Sequence, residues 1–122
     1  MVIYESAENY LETILMLKNK FGTVRSIDIA NELGFSKPSV SVAMKKLRES
    51  GHINVDQDGS ISLTEEGLTI AKSIYERHTH ISSWLIALGV EEKIAIEDAC
   101  RIEHVISQET FDKIREHISN KL

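Results

Sequence analysis

Apolar residues recur at helical spacing along the first part of the chain and predict three helices. The first helix, over 6–20, presents an apolar face made of Ala7, Leu11, Ile14, Leu17 and Phe21. The second is expected to start with Ser26 as its N-cap and to stop at Gly34. The third has Ser36 as its N-cap and Pro38 in its first turn, where a missing amide proton costs little. Its predicted buried stripe consists of Val40, Ala43, Met44 and Leu47.

The pattern then changes from helical periodicity to alternation. Apolar and polar residues alternate over 53–55 and again over 61–63, and the Asp58-Gly59 pair between them is a typical turn sequence. Three helices followed directly by a hairpin are the order of a winged helix-turn-helix. The strand–helix alternation of nucleotide-binding α/β folds is absent from the pattern.

Helical periodicity returns after the hairpin. A long helix is predicted over about 65–88, with acids near the positive end of its dipole. Two further helices are predicted over about 91–105 and 107–120. The fold class is therefore mainly α, with domains expected at 1–64 and 65–122 and with the long helix shared between them.

Composition and targeting features indicate the type of protein and its expected compartment. Of its 122 residues, 42% are hydrophobic and 27% charged, which is typical of a globular protein. No apolar run is long enough for a membrane span, and the N-terminus lacks the features of a signal peptide. The single cysteine cannot form an internal disulfide. We therefore expect a cytoplasmic protein without a membrane partner.

One segment of the chain is basic although the chain as a whole is acidic. The total of −5 disfavours a protein that coats nucleic acid through bulk charge, but 37–48 carries four basic residues and no acid. The second helix of a helix-turn-helix enters the major groove, where hydroxyls, lysines and a small apolar side chain can contact bases and phosphates. The candidate DNA contacts are Ser36, Lys37, Pro38, Ser39, Ser41, Val42, Lys45 and Lys46.

Two points limit this interpretation. The basic residues are also consistent with a solvated helix face, and only the hairpin that follows favours DNA. The predicted wing, over 56–60, is acidic, so the helix rather than the wing is expected to carry the affinity.

A second constellation suggests metal chemistry. Cys100, Glu103 and His104 lie at i, i+3 and i+4 of a predicted helix, so a thiolate, a carboxylate and an imidazole converge on one patch. Three donors leave coordination positions open, and His78 is the best further candidate. It interrupts an apolar stripe of the long helix formed by Leu68, Ala71, Tyr75, Ser82 and Leu85.

The first helix carries a related pattern. Asn9, Glu12 and Met16 fall nearly opposite its apolar face. Because Met16 makes this stripe less than fully polar, we expect it to face other protein. The C-terminal helices are the natural neighbour, which would bring Glu12 towards His78 and the Cys100 group.

Each of these residues also has a simpler interpretation. A lone cysteine is usually a small buried hydrophobe, and a histidine in an apolar stripe is usually a hydrogen-bonded core residue. Glu12, and Glu103 with its neighbour, could be ordinary polar surface. The remaining histidines are expected to be surface or core residues: His52, His80 and His117.

Together these residues resemble the diphtheria-toxin-repressor and manganese-transport-regulator family of metal-dependent repressors. The resemblance implies a winged-helix DNA-binding domain and a helical region that dimerises and holds metal. It implies a repressor that binds palindromic operator DNA as a homodimer when loaded with Fe²⁺ or Mn²⁺. The segments that carry it are 8–14, 28–30, 39–41, 63–67, 77–78 and, most specifically, 97–107.

The resemblance also assigns ligands and shows departures. Cys100, Glu103 and His104 match ligands of the iron-type branch, whereas Glu12 and His78 match ligands of the manganese-type branch. Asn9 stands where the family usually has Met or Asp and would be a weaker ligand. An ancillary site of the iron type is expected to be incomplete, because two of its ligands are replaced by Ser82 and Ile96.

The chain looks like a short family member without the third, SH3-like domain. Its thiolate favours Fe²⁺, with Co²⁺, Ni²⁺ or Zn²⁺ able to bind in vitro, and its carboxylates keep Mn²⁺ open. The resemblance and a set of apolar residues together predict dimerisation, although the same residues could pack within one chain. They are Ile94, Ile102, Ile106, Phe111, Ile114 and Ile118.

The mechanism expected from these patterns is thermodynamic linkage. A metal that joins the first helix to the helices bearing His78 and Cys100 would favour one domain orientation, setting two recognition helices about one DNA turn (~34 Å) apart. The alternatives are a winged-helix regulator with Cys100 as a redox sensor, a metal-dependent hydrolase and a protein-interaction module. No His-Glu-x-x-His motif supports a hydrolase, so we do not expect an enzyme. An interaction module would leave the basic stretch unexplained.

Overall fold

The computed structural model describes residues 5–121. Residues 1–4, on which part of the expectation about a signal peptide depends, lie outside this range. The described elements, in chain order, are α1 Glu5–Phe21, α2 Ser26–Leu33, α3 Lys37–Glu49, β1 Ile53–Val55, β2 Ile61–Leu63, α4 Glu65–Ala87, α5 Glu92–Ile102 and α6 Gln108–Lys121. The mainly α fold, with a hairpin between two groups of helices, is thus confirmed.

The chain divides into two compact units between Lys72 and Ser73, within α4. The expected domain division at 64/65 stays a prediction. Along the described residues, no helix combines the length and the apolar character that crossing a membrane requires.

The first unit is a helix-turn-helix with an antiparallel wing. β1 and β2 pair with Ile53 opposite Leu63. The N–H of Ile61 donates to the carbonyl oxygen of Val24 at 2.7 Å, which attaches the wing to the segment before α2. The core below includes Leu11, Ile14, Leu17, Val24, Ile29, Val40, Met44, Leu47, Ile53 and Ile61.

Helix ends in this unit mostly follow the predicted signals. The Ser39 N–H donates to Ser36 Oγ at 3.3 Å, so Ser36 caps α3 as predicted. The prediction for α2 is wrong by one residue, because the N-cap is Arg25 and not Ser26. The Arg25 N–H donates to the carboxylate of Asp28 at 2.9 Å, and this acceptor at the third helical position moves the start of the helix.

The buried face of α1 differs from the predicted apolar face in two ways: it ends before Phe21, and it includes Glu12. Leu11, Ile14 and Leu17 are buried, but Phe21 is 62% exposed because it is the last residue of the helix and lies beyond the core. Met16 is 42% exposed, so the expectation that its stripe faces protein is wrong at this position. Glu12, on the same predicted stripe, is only 4% exposed.

The second unit consists of the later part of α4 with α5 and α6. Its small core contains Ile81, Ala99 and Phe111. The buried stripe of α4 departs from the predicted one at Tyr75, which is 44% exposed, and Ile74 is buried in its place. Because Phe111 belongs to this core, it packs within the chain. Other members of the predicted dimerisation set do so as well, whereas Ile94 stays exposed.

Candidate functional site

Three of the predicted metal ligands converge in the second unit. His78 of α4, Cys100 of α5 and Glu103, at the C-terminal end of α5, each offer a ligand atom within 4.8 Å of the others. His78 Nδ1 lies 2.9 Å from Glu103 Oε2 in a hydrogen bond. The nitrogen, sulfur and oxygen donors of this cluster, which we call the His78 cluster, form a set suited to a divalent transition metal.

Glu103 is the most deeply buried member of the His78 cluster. Its side chain is inaccessible to solvent, and its Oε1 has no hydrogen-bond partner among the described residues. His104 Nε2 approaches this oxygen to 3.4 Å, and its side chain is only 2% exposed. A buried carboxylate oxygen without a hydrogen bond is costly unless positive charge compensates it. The surroundings of Glu103 therefore fit a bound cation.

Access to the cluster comes from its other two members. The His78 side chain is 20% exposed, and Cys100 is exposed rather than buried as a lone cysteine usually is. The Ser82 hydroxyl donates to the His78 carbonyl oxygen at 2.6 Å, one turn along α4. The cluster thus combines a buried carboxylate with a thiol that an ion can reach from solvent.

The helix that carries Cys100 ends earlier than predicted. α5 stops at Ile102, so Glu103 and His104 belong to the turn that follows and not to a helix reaching residue 105. The Glu103 N–H still donates to the Ala99 carbonyl oxygen at 2.9 Å, and this keeps Glu103 at helical backbone angles. The i, i+3 relation between Cys100 and Glu103 survives for that reason.

Arg77 binds the turn that follows α5. Its Nη1 donates to the carbonyl oxygens of Glu103, at 3.0 Å, and of Ile106, at 2.9 Å. Carbonyls at a helix end have no partner within the helix, and here a side chain from α4 supplies the donors. In the sequence, Arg77 contributes only to the family resemblance, and its position directly before His78 is the signal that could have identified it.

Glu12 and Asn9 belong to α1, in the first unit. Glu12 is buried and Asn9 is half-buried, and the Asn9 carbonyl oxygen accepts a hydrogen bond from the Thr13 hydroxyl at 2.8 Å. Neither residue is among the three that converge in the second unit. Their role as further ligands stays a prediction, as does the incompleteness of an ancillary site at Ser82 and Ile96.

The predicted DNA-contacting residues form one exposed face. Val40, Met44 and Leu47 turn into the core and Ala43 is half-buried, so the remaining side chains of α3 face outward. Val42, which is 56% exposed, is an apolar exception on this otherwise polar and basic surface. The exposed residues are Ser36, Lys37, Pro38, Ser39, Ser41, Val42, Lys45 and Lys46, called the α3 face below. Their contact with DNA stays a prediction.

The wing tip is anionic. Hydrogen bonds from the backbone and side chain of Ser60 hold the pKa of Asp58 below its usual value, with Arg25 adding to the effect. The Arg25 guanidinium lies 3.6 Å from the Asp58 carboxylate, and both side chains are more than half exposed. An ionised Asp58 disfavours a phosphate at this position, in line with the expectation that the wing adds little affinity.

The other three histidines lie apart from the His78 cluster. His52 is fully buried, and its Nδ1 lies 2.6 Å from Ser50 Oγ. The His52 carbonyl oxygen occupies the place that a Cβ on residue 67 would need, so only glycine fits at Gly67. His80 is half-buried and His117 is exposed. They are surface or core residues, as predicted.

Comparison with known proteins gives one family match for the N-terminal part of the chain and one for the C-terminal part. Residues 3–61 match the family described as "Iron dependent repressor, N-terminal DNA binding domain". Residues 64–121 match "Iron dependent repressor, metal binding and dimerisation domain". The chain belongs to the iron-dependent repressor family. The resemblance to metal-dependent repressors is thereby confirmed, and the chain is a transcriptional regulator with an N-terminal DNA-binding domain and a metal-binding, dimerising C-terminal domain.

Individual relatives support the assignment. The chain is 34% identical over 113 residues to an uncharacterised HTH-type transcriptional regulator of Methanocaldococcus jannaschii, covering 91% of this chain and 90% of that protein. It is 38% identical over 108 residues to the transcriptional regulator MntR of Salmonella typhi, covering 88% and 69%.

Among solved structures, the manganese regulator SloR superimposes with a TM-score of 0.83 at 26% identity. The match covers 98% of this chain and 55% of SloR, so the chain spans about half the length of that structure. The family supports metal dependence and gives no support to Cys100 as a redox sensor.

Proposed function

We propose that the protein is a cytoplasmic repressor that binds palindromic operator DNA as a homodimer when it is loaded with Fe²⁺ or Mn²⁺. It has no enzymatic role in this proposal. The observation that carries the proposal is the His78 cluster, in which a buried carboxylate oxygen lacks a hydrogen bond among the described residues and faces a second imidazole at 3.4 Å.

The metal would be held by His78, Cys100, Glu103 and His104. When bound, the ion supplies positive charge beside the buried Glu103 carboxylate, whose Oε1 has no hydrogen bond among the described residues. The Cys100 thiolate favours Fe²⁺ over Mn²⁺ and suits Co²⁺, Ni²⁺ or Zn²⁺ in vitro, while the carboxylate is a good ligand for Mn²⁺. Glu12, and more weakly Asn9, are proposed as further ligands on the resemblance alone.

The α3 face would contact the operator. Lys37, Lys45 and Lys46 neutralise phosphates, and the hydroxyls of Ser39 and Ser41 donate to phosphates or base edges. The N-terminus of α3 offers amide protons to a phosphate, and no acid follows until Glu49. Val42 is the candidate for contact with a thymine methyl group.

Metal and DNA are proposed to bind cooperatively. If metal binding favours the arrangement of the two units that also binds DNA, each ligand raises the affinity for the other by the same factor. A coupling of ~1–3 kcal/mol corresponds to roughly 5–150-fold in DNA affinity.

The test is operator affinity with and without metal. An operator duplex would be selected from a random pool in two parallel arms, one with Mn²⁺ and one with chelator, so that selection does not presuppose the metal. We expect anaerobic Fe²⁺ or Mn²⁺ to tighten binding and a chelator to reverse it. Equal affinity in both conditions would contradict the metal switch while leaving DNA binding intact.

A Cys100→Ser variant separates the proposal from redox sensing. Weaker metal binding in this variant supports the proposal. Unchanged metal dependence together with loss of a response to oxidant would favour a redox sensor instead.

A further inference from the structure

One arginine links the elements that carry the His78 cluster. The Arg77 guanidinium donates through Nη1 to the carbonyl oxygens of Glu103 and Ile106, at 3.0 and 2.9 Å, and through Nη2 to Gln108 Oε1 at 2.9 Å. Its central carbon lies 5.5 Å from the centre of the Phe111 ring. One side chain of α4 therefore binds the end of α5, the turn after it and the start of α6.

This turn contains two of the proposed ligands. Glu103 keeps one helical hydrogen bond, from its N–H to the Ala99 carbonyl oxygen, but both Glu103 and His104 lie beyond the regular part of α5. Arg77 supplies a further restraint by bonding the Glu103 carbonyl oxygen directly. Because Arg77 directly precedes His78 in α4, the same helical turn positions the imidazole and the carboxylate relative to each other.

We propose that Arg77 is a positioning residue of the metal site. Its guanidinium has no lone pair for a metal, so it acts on the ligands and not on the ion. By holding the turn, it prepares the spacing of Glu103 and His78 before an ion arrives. This inference depends on the proposed function, since it assumes that the His78 cluster binds metal.

The shape of the side chain matters as well as its charge. Arginine presents its donors in a rigid planar fork, which here serves two carbonyls and an amide oxygen at once. Lysine concentrates its donors on one flexible ammonium, so Arg77→Lys keeps the charge and loses the bridge. This variant distinguishes positioning from a general electrostatic effect.

Arg115 provides a matched control. Its guanidinium carbon lies 5.4 Å from the centre of the same Phe111 ring, and it bonds Glu76 at 2.6 Å and Asp112 at 3.2 Å. Its described hydrogen bonds and ion pairs involve no member of the His78 cluster. Arg115→Gln therefore removes a guanidinium from the same ring without releasing the turn that carries Glu103.

The experiment titrates Co²⁺ into the 122-residue chain and its Arg77→Gln, Arg77→Lys and Arg115→Gln variants without oxygen. Co²⁺ affinity, the visible absorption spectrum of the complex and the metal-free melting temperature are measured. We expect both Arg77 variants to bind Co²⁺ about 10- to 100-fold more weakly, the range typical of residues that orient ligands, and with an altered spectrum. Arg115→Gln is expected to lower the melting temperature yet bind Co²⁺ like wild type.

Wild-type affinity and an unchanged spectrum in the Arg77 variants would overturn the inference. An equal loss of affinity in Arg115→Gln would also overturn it, because general stability would then explain the effect. If Arg77→Gln does not fold, Arg77→Lys gives the decision. Failure of the wild-type chain itself to bind Co²⁺, Fe²⁺ or Mn²⁺ would instead overturn the proposed function, and the inference with it.

Discussion

The α3 face and the His78 cluster differ in what holds them together. The side chains of the α3 face are exposed, belong to one helix and its cap, and bury no charge. The cluster draws on α4, α5 and the turn after α5, and it encloses a carboxylate that solvent does not reach. Changes to the α3 face should therefore affect DNA binding alone, whereas changes to the cluster should affect metal binding and stability together.

The largest effect is expected from Glu103→Gln. The amide keeps the size and an acceptor for His78 but removes the buried charge, so metal affinity should fall by more than about 100-fold, beyond the loss typical of an orienting residue. The metal-free variant should be at least as stable as wild type, because burying a carboxylate is costly when one of its oxygens has no hydrogen bond among the described residues. Melting temperatures with and without Mn²⁺ measure both effects.

Higher metal-free stability together with weaker metal binding would show that the carboxylate of Glu103 serves the ion and not the fold. A large loss of metal-free stability with wild-type Mn²⁺ affinity would contradict this role, since Glu103 would then be a structural residue only.

The second-largest effect is expected on the affinity for DNA. Replacing both Lys45 and Lys46 with Gln should weaken operator binding roughly 30-fold, taking about 1 kcal/mol for each lost contact. The slope of log K against log salt should fall by about 2, since each phosphate contact contributes ~1. Metal affinity and melting temperature should not change, because both side chains are exposed.

Lys18 and Lys20 provide the control for this variant. They are exposed basic residues at the end of α1, so replacing both with Gln changes the net charge equally at another place. Equal weakening of DNA binding by the two double variants would show that total charge, and not the α3 face, sets the affinity.

Glu12→Gln tests the expected contribution of α1 to the metal site. We expect about tenfold weaker Mn²⁺ binding, the lower end of the range for residues that support a metal site. Glu8→Gln, one turn earlier on the same helix, is the matched control and should bind Mn²⁺ like wild type. Indistinguishable affinities for the two variants would remove Glu12 from the ligand set.

The smallest effect is expected at the wing. Asp58→Asn removes an acid and releases Arg25, so DNA affinity should rise by about two- to threefold at low salt and by less at high salt. Asp56→Asn makes the same charge change without a described ion pair to Arg25, and should have a weaker effect. Equal gains from both would mean that the pairing with Arg25 is irrelevant.

Asp58 also gives a direction for pH dependence. Because hydrogen bonds from Ser60 lower its folded-state pKa, ionised Asp58 stabilises the wing above the ordinary aspartate pKa. This contribution is lost as pH falls through the lowered value. Acid unfolding monitored at the wing should therefore be less steep in Asp58→Asn than in wild type.

The difference between the α3 face and the His78 cluster also explains which features can be predicted from the sequence. The α3 face depends on one helix, so periodicity and the Ser36 cap were enough to identify it. The buried stripe of α4 was less accessible, because Ile74 rather than Tyr75 turns into the core. Which of two neighbouring apolar residues is buried depends on the packing partners and not on the spacing alone.

The candidate site was predictable only in part. Spacing brought Cys100, Glu103 and His104 together, and an interrupted apolar stripe identified His78. The end of α5 was missed because the turn after it is bound by Arg77, which is 26 residues from Glu103 in the chain. Local rules for helix ends consider neighbouring residues, so a cap supplied by another helix lies outside them. Met16 was misplaced because the pattern shows which face of α1 it shares with Glu12 but not how much of that face is covered.

The Co²⁺ absorption spectrum of the wild-type chain beside that of Cys100→Ser, both titrated without oxygen, tests directly whether the His78 cluster binds one ion. We expect a thiolate-to-metal charge-transfer band that grows with bound Co²⁺ in the wild type and is absent from Cys100→Ser. A Co²⁺-saturated wild-type protein without that band would contradict the convergence of His78, Cys100 and Glu103 on one ion.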